Sequence, residues 1–526
     1  VTRAGRPTKR AGGGDGPRRR RAAQTGARAG EALRICFCTP ECVPFAKTGG
    51  LADVAGALPA ALAQAGCDVR VVLPGYRAID RGKFNFRTIG TAEIPLGEQR
   101  VTVEFLEGRL PSTGRRRVPV YLVAHEPSFG RAALYGEGGK DYDDNLERFT
   151  IFGRGALALP GHLGWAPDVI HCQDWQTGLI PVWLREERRP AGLEDAATLF
   201  TIHNLAYQGL FPPERLAVTG LGGQVFTMHG LEFYGKVNLL KGGLVYADRL
   251  STVSEQYARE IQTPEFGCGL DGVLRERAGD LAGILNGVDY SAWDPAVDRH
   301  IAARYTAEDL AGKAVCKRDL QRSQNLAEAA EVPLVGMISR LADQKGFDLV
   351  AAVLDRLVEA EAQFVLLGTG EPKYHEIFRA FNERYPGRVA VTLGFDDALA
   401  HRIEAGADIF LMPSRYEPSG LNQLYSLRYG TVPVVRRTGG LADTIVDATA
   451  EALAHRTANG FVFEALDAAA LWDALERALG AFSDRALWRQ LQQTGMRQDF
   501  SWRRAADRYV ETYRRAIDAR RVGVRA

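Results

Sequence analysis

Cysteine is scarce in this chain: seven in 526 residues, an odd number. That density excludes a disulfide framework and fits a reducing, cytoplasmic compartment. Long apolar runs are missing as well. No stretch approaches the ~18 apolar residues that a membrane-spanning helix needs, and the first residues lack the apolar segment of a secretory signal. An excess of charge is also absent, because 66 basic side chains face 64 acidic ones for a net charge of +2.

That balance is unevenly distributed. Residues 1–30 carry nine Lys and Arg against Asp15 alone, which leaves 57 basic and 63 acidic residues in the rest of the chain. A mildly acidic body argues against nucleic-acid binding, whose footprint is a basic face. The tail itself, made of Gly, Arg and Ala, is expected to be a disordered extension outside the fold, with polyanion binding as the alternative. At 46% hydrophobic and 25% charged the chain is globular in composition. Its length suits about two to four domains at ~100–200 residues each.

Cys36, Cys38 and Cys42 are close enough to raise a metal site. Cys36 and Cys38 lie two apart in an apolar run, so in a strand both face the same side as small buried hydrophobes. No second Cys/His pair at zinc spacing follows, and no metal is expected.

Short apolar runs alternate with helical stretches along the chain. Strands are predicted at 35–38, 69–73, 118–123, 168–172, 198–202 and 249–253, with a helix at 51–64. The pattern restarts with strands at 333–338, 364–367, 389–393, 409–412 and 432–435 and a helix at 346–358. Runs of this kind suit parallel strands buried on both faces. More than ten in one sheet is improbable, so the reading is α/β with two doubly wound, Rossmann-like domains. The expected divisions are a basic tail over 1–30, a first domain over 31–285 and a second over 286–501. An Arg-rich amphipathic helix over 502–526 is expected to pack back on the first domain.

One heptad occurs twice. Lys47-Thr48-Gly49-Gly50-Leu51-Ala52-Asp53 returns as Arg437-Thr438-Gly439-Gly440-Leu441-Ala442-Asp443. Each copy follows a strand and leads into a helix. Paired glycines let backbone N–H groups approach an anion at a helix N-terminus, and the leading cation adds full charge; two ordinary glycine turns are the bland alternative. If the domains face each other, both loops can reach one diphosphate. Arg340 and Lys345 follow the strand ending at Ile338, at the carboxyl edge where open α/β sheets bind ligands. A buried diphosphate requires such cations. Gly368-Thr369-Gly370 begins a dinucleotide fingerprint, but Lys373 stands at its third glycine position, and no Walker A sequence is present.

Six motifs in order then resemble bacterial glycogen synthase and plant starch synthase. They are Lys47-Thr48-Gly49-Gly50-Leu51, His171-Cys172-Gln173-Asp174-Trp175, Thr201 to Gly209, Ser339-Arg340 with Lys345-Gly346, Glu417-Pro418-Ser419-Gly420-Leu421, and Arg437-Thr438-Gly439-Gly440-Leu441. The similarity spans about Leu33 to Tyr513. It implies a GT-B fold, in which two Rossmann-like domains close over a nucleotide sugar in a central cleft. It also implies transfer of glucose, with retention, from ADP-glucose to the non-reducing end of an α-1,4-glucan, glycogen or a maltooligosaccharide, with no cofactor.

By motif, Lys47, Gly50 and Asp53 are expected near the donor diphosphate. Arg340 and Lys345 are expected on the phosphates, stabilising the departing ADP. Thr438, Gly439 and Gly440 are donor-binding, the two glycines giving N–H groups to the distal phosphate. Glu417 is assigned to the glucose hydroxyls. His203 is assigned to the sugar, its carbonyl near the developing oxocarbenium. Asp174 and Asn286 are assigned to the donor sugar and the acceptor path.

Two departures stand out. Ser419 occupies a slot that is Cys in many members, which removes any thiol role. Tyr425 stands where relatives with paired glutamates have a second Glu, which leaves a same-face mechanism favoured over a carboxylate nucleophile. Blander readings remain beside these: His171 and His203 as satisfied core histidines, Asp174 as a helix cap, and Tyr76, Tyr135 and Trp175 as core rather than glucan path. The Asp141-Tyr142-Asp143 triplet reads as an acidic helix start rather than a metal motif. A glucan phosphorylase, which needs pyridoxal phosphate on a lysine, and a non-catalytic glucan-binding protein are the rival functions.

Overall fold

The computed structural model describes residues 32–111 and 117–525. The basic tail therefore lies outside the described residues. The apolar runs form two sheets. In the first, β1 (Arg34–Cys38), β2 (Asp68–Pro74), β5 (Pro119–Ala124), β6 (Val169–Gln173), β7 (Ala197–Ile202), β8 (Arg249–Thr252) and β9 (Leu281–Gly283) run parallel. The antiparallel hairpin β3 (Arg87–Leu96) and β4 (Gln99–Arg109) extends one edge, giving the order β9-β8-β7-β6-β1-β2-β5-β4-β3. Sequence reading does not anticipate the hairpin. Its strands mix polar and apolar residues because one face meets solvent, so no continuous apolar run marks them.

The second sheet holds β10 (Leu334–Ile338), β11 (Gln363–Gly368), β12 (Val389–Leu393), β13 (Ile409–Met412), β14 (Val432–Arg436) and β15 (Phe461–Phe463). All are parallel in the order β12-β11-β10-β13-β14-β15. The sequence expects every one but the three-residue β15. Helices that position the cleft are α1 (Gly50–Gln64), α2 (Glu255–Glu260), α3 (Phe347–Glu359), α4 (Asp397–Gly406), α5 (Asn422–Tyr429) and α6 (Gly439–Thr444). The last helix, α7 (Trp502–Arg525), crosses back to α1, β7 and β8 of the first sheet. There it buries Trp502, Tyr509 and Tyr513 in the same core as β1 and β6.

Cys36 and Cys38 lie in β1 with their sulfurs 3.7 Å apart and fully buried. Their mutual hydrogen bond, then burial, holds the Cys38 thiol well above its ordinary range. The Cys42 sulfur donates to the Ala55 carbonyl at 3.3 Å. These cysteines pack as small hydrophobes.

Candidate active site

The cation loop after β10 turns at Gly346, whose φ is +72° and whose added Cβ would lie 2.2 Å from the Pro413 carbonyl. Only glycine fits that crossing, and it leads the chain into α3. The turn carries Lys345 to Glu417: Nζ and Oε2 are 2.6 Å apart. Ser414 Oγ donates to the same carboxylate oxygen at 2.9 Å. Glu417 is 6% exposed, so its charge is compensated almost entirely by these two groups. The sequence assigns Lys345 to phosphate and Glu417 to sugar; the structure brings them into one ion pair. Arg340 reaches across the cleft, with both terminal nitrogens 3.2 Å from the Tyr207 hydroxyl of the first domain.

The facing wall is built at the carboxyl ends of β6 and β7. Asp174 adopts φ +54° and ψ −176°, a conformation almost reserved for glycine. Its carboxylate caps nothing in the turn that follows. Instead it accepts the His203 backbone N–H at 2.7 Å. Burial pushes Asp174 up to about 7. His203 Nε2 donates to Gln173 Oε1 at 2.8 Å, and burial lowers the ring to about 3, so it is neutral at physiological pH. The Asn204 side chain approaches Tyr416, the neighbour of Glu417, and tempers the rise that burial imposes on that phenol. His171, by contrast, is a core residue. It is fully buried and satisfied by the Tyr513 hydroxyl at 2.9 Å and Thr201 Oγ1 at 2.6 Å.

The two copies of the heptad have different surroundings. In the first, Lys47 pairs with Asp53 at 2.7 Å, and the Thr48 and Gly49 N–H groups donate to the buried carboxylate of Glu41 at 2.6 and 3.2 Å. Burial raises Asp53 while Lys47 opposes the shift. Open space lies over Gly50: an added Cβ would meet nothing within 4 Å. In the second copy the space is full. The Gly439 N–H donates to both Glu260 oxygens at 3.0 and 3.1 Å, and Thr438 Oγ1 to one of them at 3.2 Å. The Gly440 N–H donates to the Glu417 carbonyl at 3.1 Å. Both N–H groups that the sequence assigns to the distal phosphate are thus held by protein acceptors in this structure.

Asn286 is buried with its Oδ1 unpartnered, as are Gln173 Nε2 and Ser419 Oγ among the described residues. Buried polar atoms without partners mark places that a polar ligand can complete. Sequence reasoning missed Glu41, Gln173, Ser414 and Glu260. Gln173 lies inside a quoted motif but carries no assigned role there; for Glu41 and Glu260 no spacing signals that a carboxylate folds onto a glycine loop. Tyr76 and Trp175 are core, while the Tyr135 hydroxyl donates to Glu41 at 2.7 Å. Tyr425 stacks on Trp293 at 4.0 Å rather than serving as a second carboxylate position.

Of the acidic triplet region, Asp143 pairs with Lys140 at 3.3 Å, and the next residue, Asp144, with Arg131 at 2.7 Å. Among the described residues, His300, Asp397 and His401 form a group that could hold a metal. His401 pairs through Nδ1 with Asp298 at 2.7 Å and stacks on Trp293 at 3.7 Å.

With this geometry the comparisons are unambiguous. The starch synthase catalytic domain profile matches residues 34–276, and the glycosyl transferases group 1 profile matches 319–490. The chain is 52% identical over 487 residues to a glycogen synthase of Anaeromyxobacter sp. (strain Fw109-5), covering 92% of this chain and 99% of that one. The chain belongs to the glycogen and starch synthase family. It is also 50% identical to glycogen synthase 2 of Geobacter sulfurreducens, covering 93% of this chain and 100% of that one. The catalytic domain of starch synthase IV from Arabidopsis thaliana, solved bound to ADP and acarbose, superposes with a TM-score of 0.86. It is 34% identical and covers 93% of this chain and 100% of that one. The fold is GT-B and the protein is a glycosyltransferase. No described helix is long and apolar enough to cross a membrane.

Proposed function

We propose that this enzyme is a glycogen synthase. It transfers glucose from ADP-glucose, with retention, to the non-reducing end of an α-1,4-glucan in the cytoplasm. The observation that carries this reading is the Lys345–Glu417 pair at 2.6 Å, beside Arg340, which reaches Tyr207 of the first domain at 3.2 Å. A donor entering the cleft exchanges these internal contacts for its own charges and hydroxyls. Lys345 turns to the phosphate and Glu417 to the glucose hydroxyls. As the anomeric bond breaks, negative charge grows on the leaving phosphate oxygen, and Lys345 and Arg340 bind that charge more tightly than the ground state. The His203 ring is neutral, so it adds no repulsion while its backbone carbonyl faces the developing positive charge. The leaving phosphate accepts the acceptor hydroxyl's proton on the same face, so no protein nucleophile is needed. Asp174 fixes His203 through the backbone. Lys47, Gly50, Asp53 and Asn286 border the donor, and Phe395, exposed at the carboxyl end of β12, offers a ring to its base.

The test is ADP release from ADP-glucose with and without glycogen, UDP-glucose being run beside it. Glycogen-dependent release in the wild type and a kcat loss of ~10²–10³ in folded Glu417→Ala are expected. Phosphate-dependent release of glucose 1-phosphate, or undiminished kcat in Glu417→Ala, overturns the reading.

A further inference from the structure

The second Thr-Gly-Gly-Leu-Ala-Asp copy closes a reciprocal joint between the domains. Glu260, at the end of α2, lays its carboxylate on the Gly439 N–H and the Thr438 hydroxyl at the start of α6. Asp443, in α6, returns the arrangement. It accepts from Ser254 Oγ at 2.6 Å and from the Gln256 N–H at 3.0 Å, at the start of α2. Each short helix thus has its N-terminal donors satisfied by a carboxylate from the other, an exchange that only one relative placement of the helices permits.

The joint does not end at the domain surface. One residue beyond the Glu260 contact, the Gly440 N–H holds the Glu417 carbonyl at 3.1 Å. Cβ atoms added at Gly439 and Gly440 would lie 2.0 Å from the carbonyls of Glu417 and Ser419. The glycine pair is therefore pressed flat against the backbone that presents Glu417. Glu260 in turn is 8% exposed and takes a further donor, Gln256 Nε2 at 3.1 Å.

We infer that Glu260 and Asp443 are positioning residues for Glu417, holding its loop in register with the wall formed by His203 and Asp174. The inference rests on the role proposed above for Glu417. It predicts a loss in turnover rather than in nucleotide binding, because ADP lacks the glucose that Glu417 grips.

The experiment compares Glu260→Ala, Glu260→Gln, Asp443→Ala, Glu417→Ala and the Glu260→Ala/Glu417→Ala double variant. For each, kcat, KM for ADP-glucose, equilibrium ADP affinity and Tm are measured. Glu260→Ala and Asp443→Ala are expected to lower kcat at least ~10-fold, with ADP affinity within ~3-fold of wild type. Glu260→Gln keeps a carbonyl acceptor for Gly439 and should recover most of the loss. The double variant should be no slower than Glu417→Ala alone, because both changes act through one group. Turnover within ~2-fold of wild type in both alanine variants overturns the inference, as does a double-variant loss equal to the product of the singles. A Gln variant as poor as Ala, with ADP affinity and Tm falling together, overturns it as well. If Glu417→Ala itself keeps full turnover, the reading of Glu417 fails first; a failure confined to the Glu260 and Asp443 arms leaves that reading standing.

Discussion

Asp174 combines two costs at one residue, a left-handed backbone and a buried carboxylate raised to about 7. The folded state holds a proton there that the unfolded chain has already released above the ordinary carboxylate range. This residue therefore withdraws stability as pH climbs from about 4 towards 7. Asp174→Asn keeps an oxygen for the His203 N–H and removes the titration. Its Tm should fall less than that of wild type over that interval, and any kcat limb near pH 7 that belongs to Asp174 should vanish from its profile. His203 works in the opposite sense: lowered to about 3, it withdraws stability as pH falls below ~6.5. A second prediction concerns the cations. Lys345→Ala strands the buried Glu417 carboxylate, a change of roughly 3–5 kcal/mol for a broken buried pair. It should lower Tm as well as kcat, whereas Arg340→Ala, on an exposed side chain, should lower kcat with little change in Tm. If both serve one diphosphate, as proposed, their kcat losses should fall short of multiplying in the double variant. Full multiplication would separate their roles.

Between elements, the two heptads make a controlled comparison, with identical glycines in different surroundings. Gly440→Ala forces a methyl into the Ser419 carbonyl and should lose ~1–3 kcal/mol of stability along with turnover. Gly50→Ala meets open space and should leave Tm unchanged. If Gly50 borders the donor as proposed, its alanine variant raises KM for ADP-glucose in a fully stable enzyme. Thermal melts and donor titrations on the two variants separate a glycine needed for the fold from one needed for the ligand. A stable Gly440→Ala would remove the steric reason for that residue.

For the molecule as a whole, α7 ties the end of the chain to its beginning. Tyr509 and Tyr513 are buried over the first sheet, and the Tyr513 hydroxyl bonds the core histidine His171. Tyr513→Phe removes one buried hydrogen bond and should cost about 1 kcal/mol, while Tyr513→Ala also opens a cavity and should cost roughly 3–5 kcal/mol. Denaturant melts followed by tryptophan fluorescence would measure both. Equal melts for wild type and Tyr513→Ala would mean that α7 contributes nothing to the first domain's stability.

Much of this protein is set by local sequence. Continuous apolar runs mark the buried parallel strands, since no polar face interrupts them, and the ordered motifs identify the cleft because each follows such a strand at its carboxyl end. Arg340 and Lys345 stand out as candidates for that reason, and Glu417, His203 and Asp174 only through the family resemblance of their motifs. The hairpin β3–β4 was not legible, because a half-exposed strand carries a diluted apolar signal. Partnership was not legible either. Lys345 meets Glu417 across 72 residues, and Glu260 meets Gly439 across 179. The same six residues, Thr-Gly-Gly-Leu-Ala-Asp, frame open space in one domain and join the two domains in the other. Glycine leaves its N–H groups available to any acceptor, and which acceptor arrives is decided only when distant parts of the chain pack together.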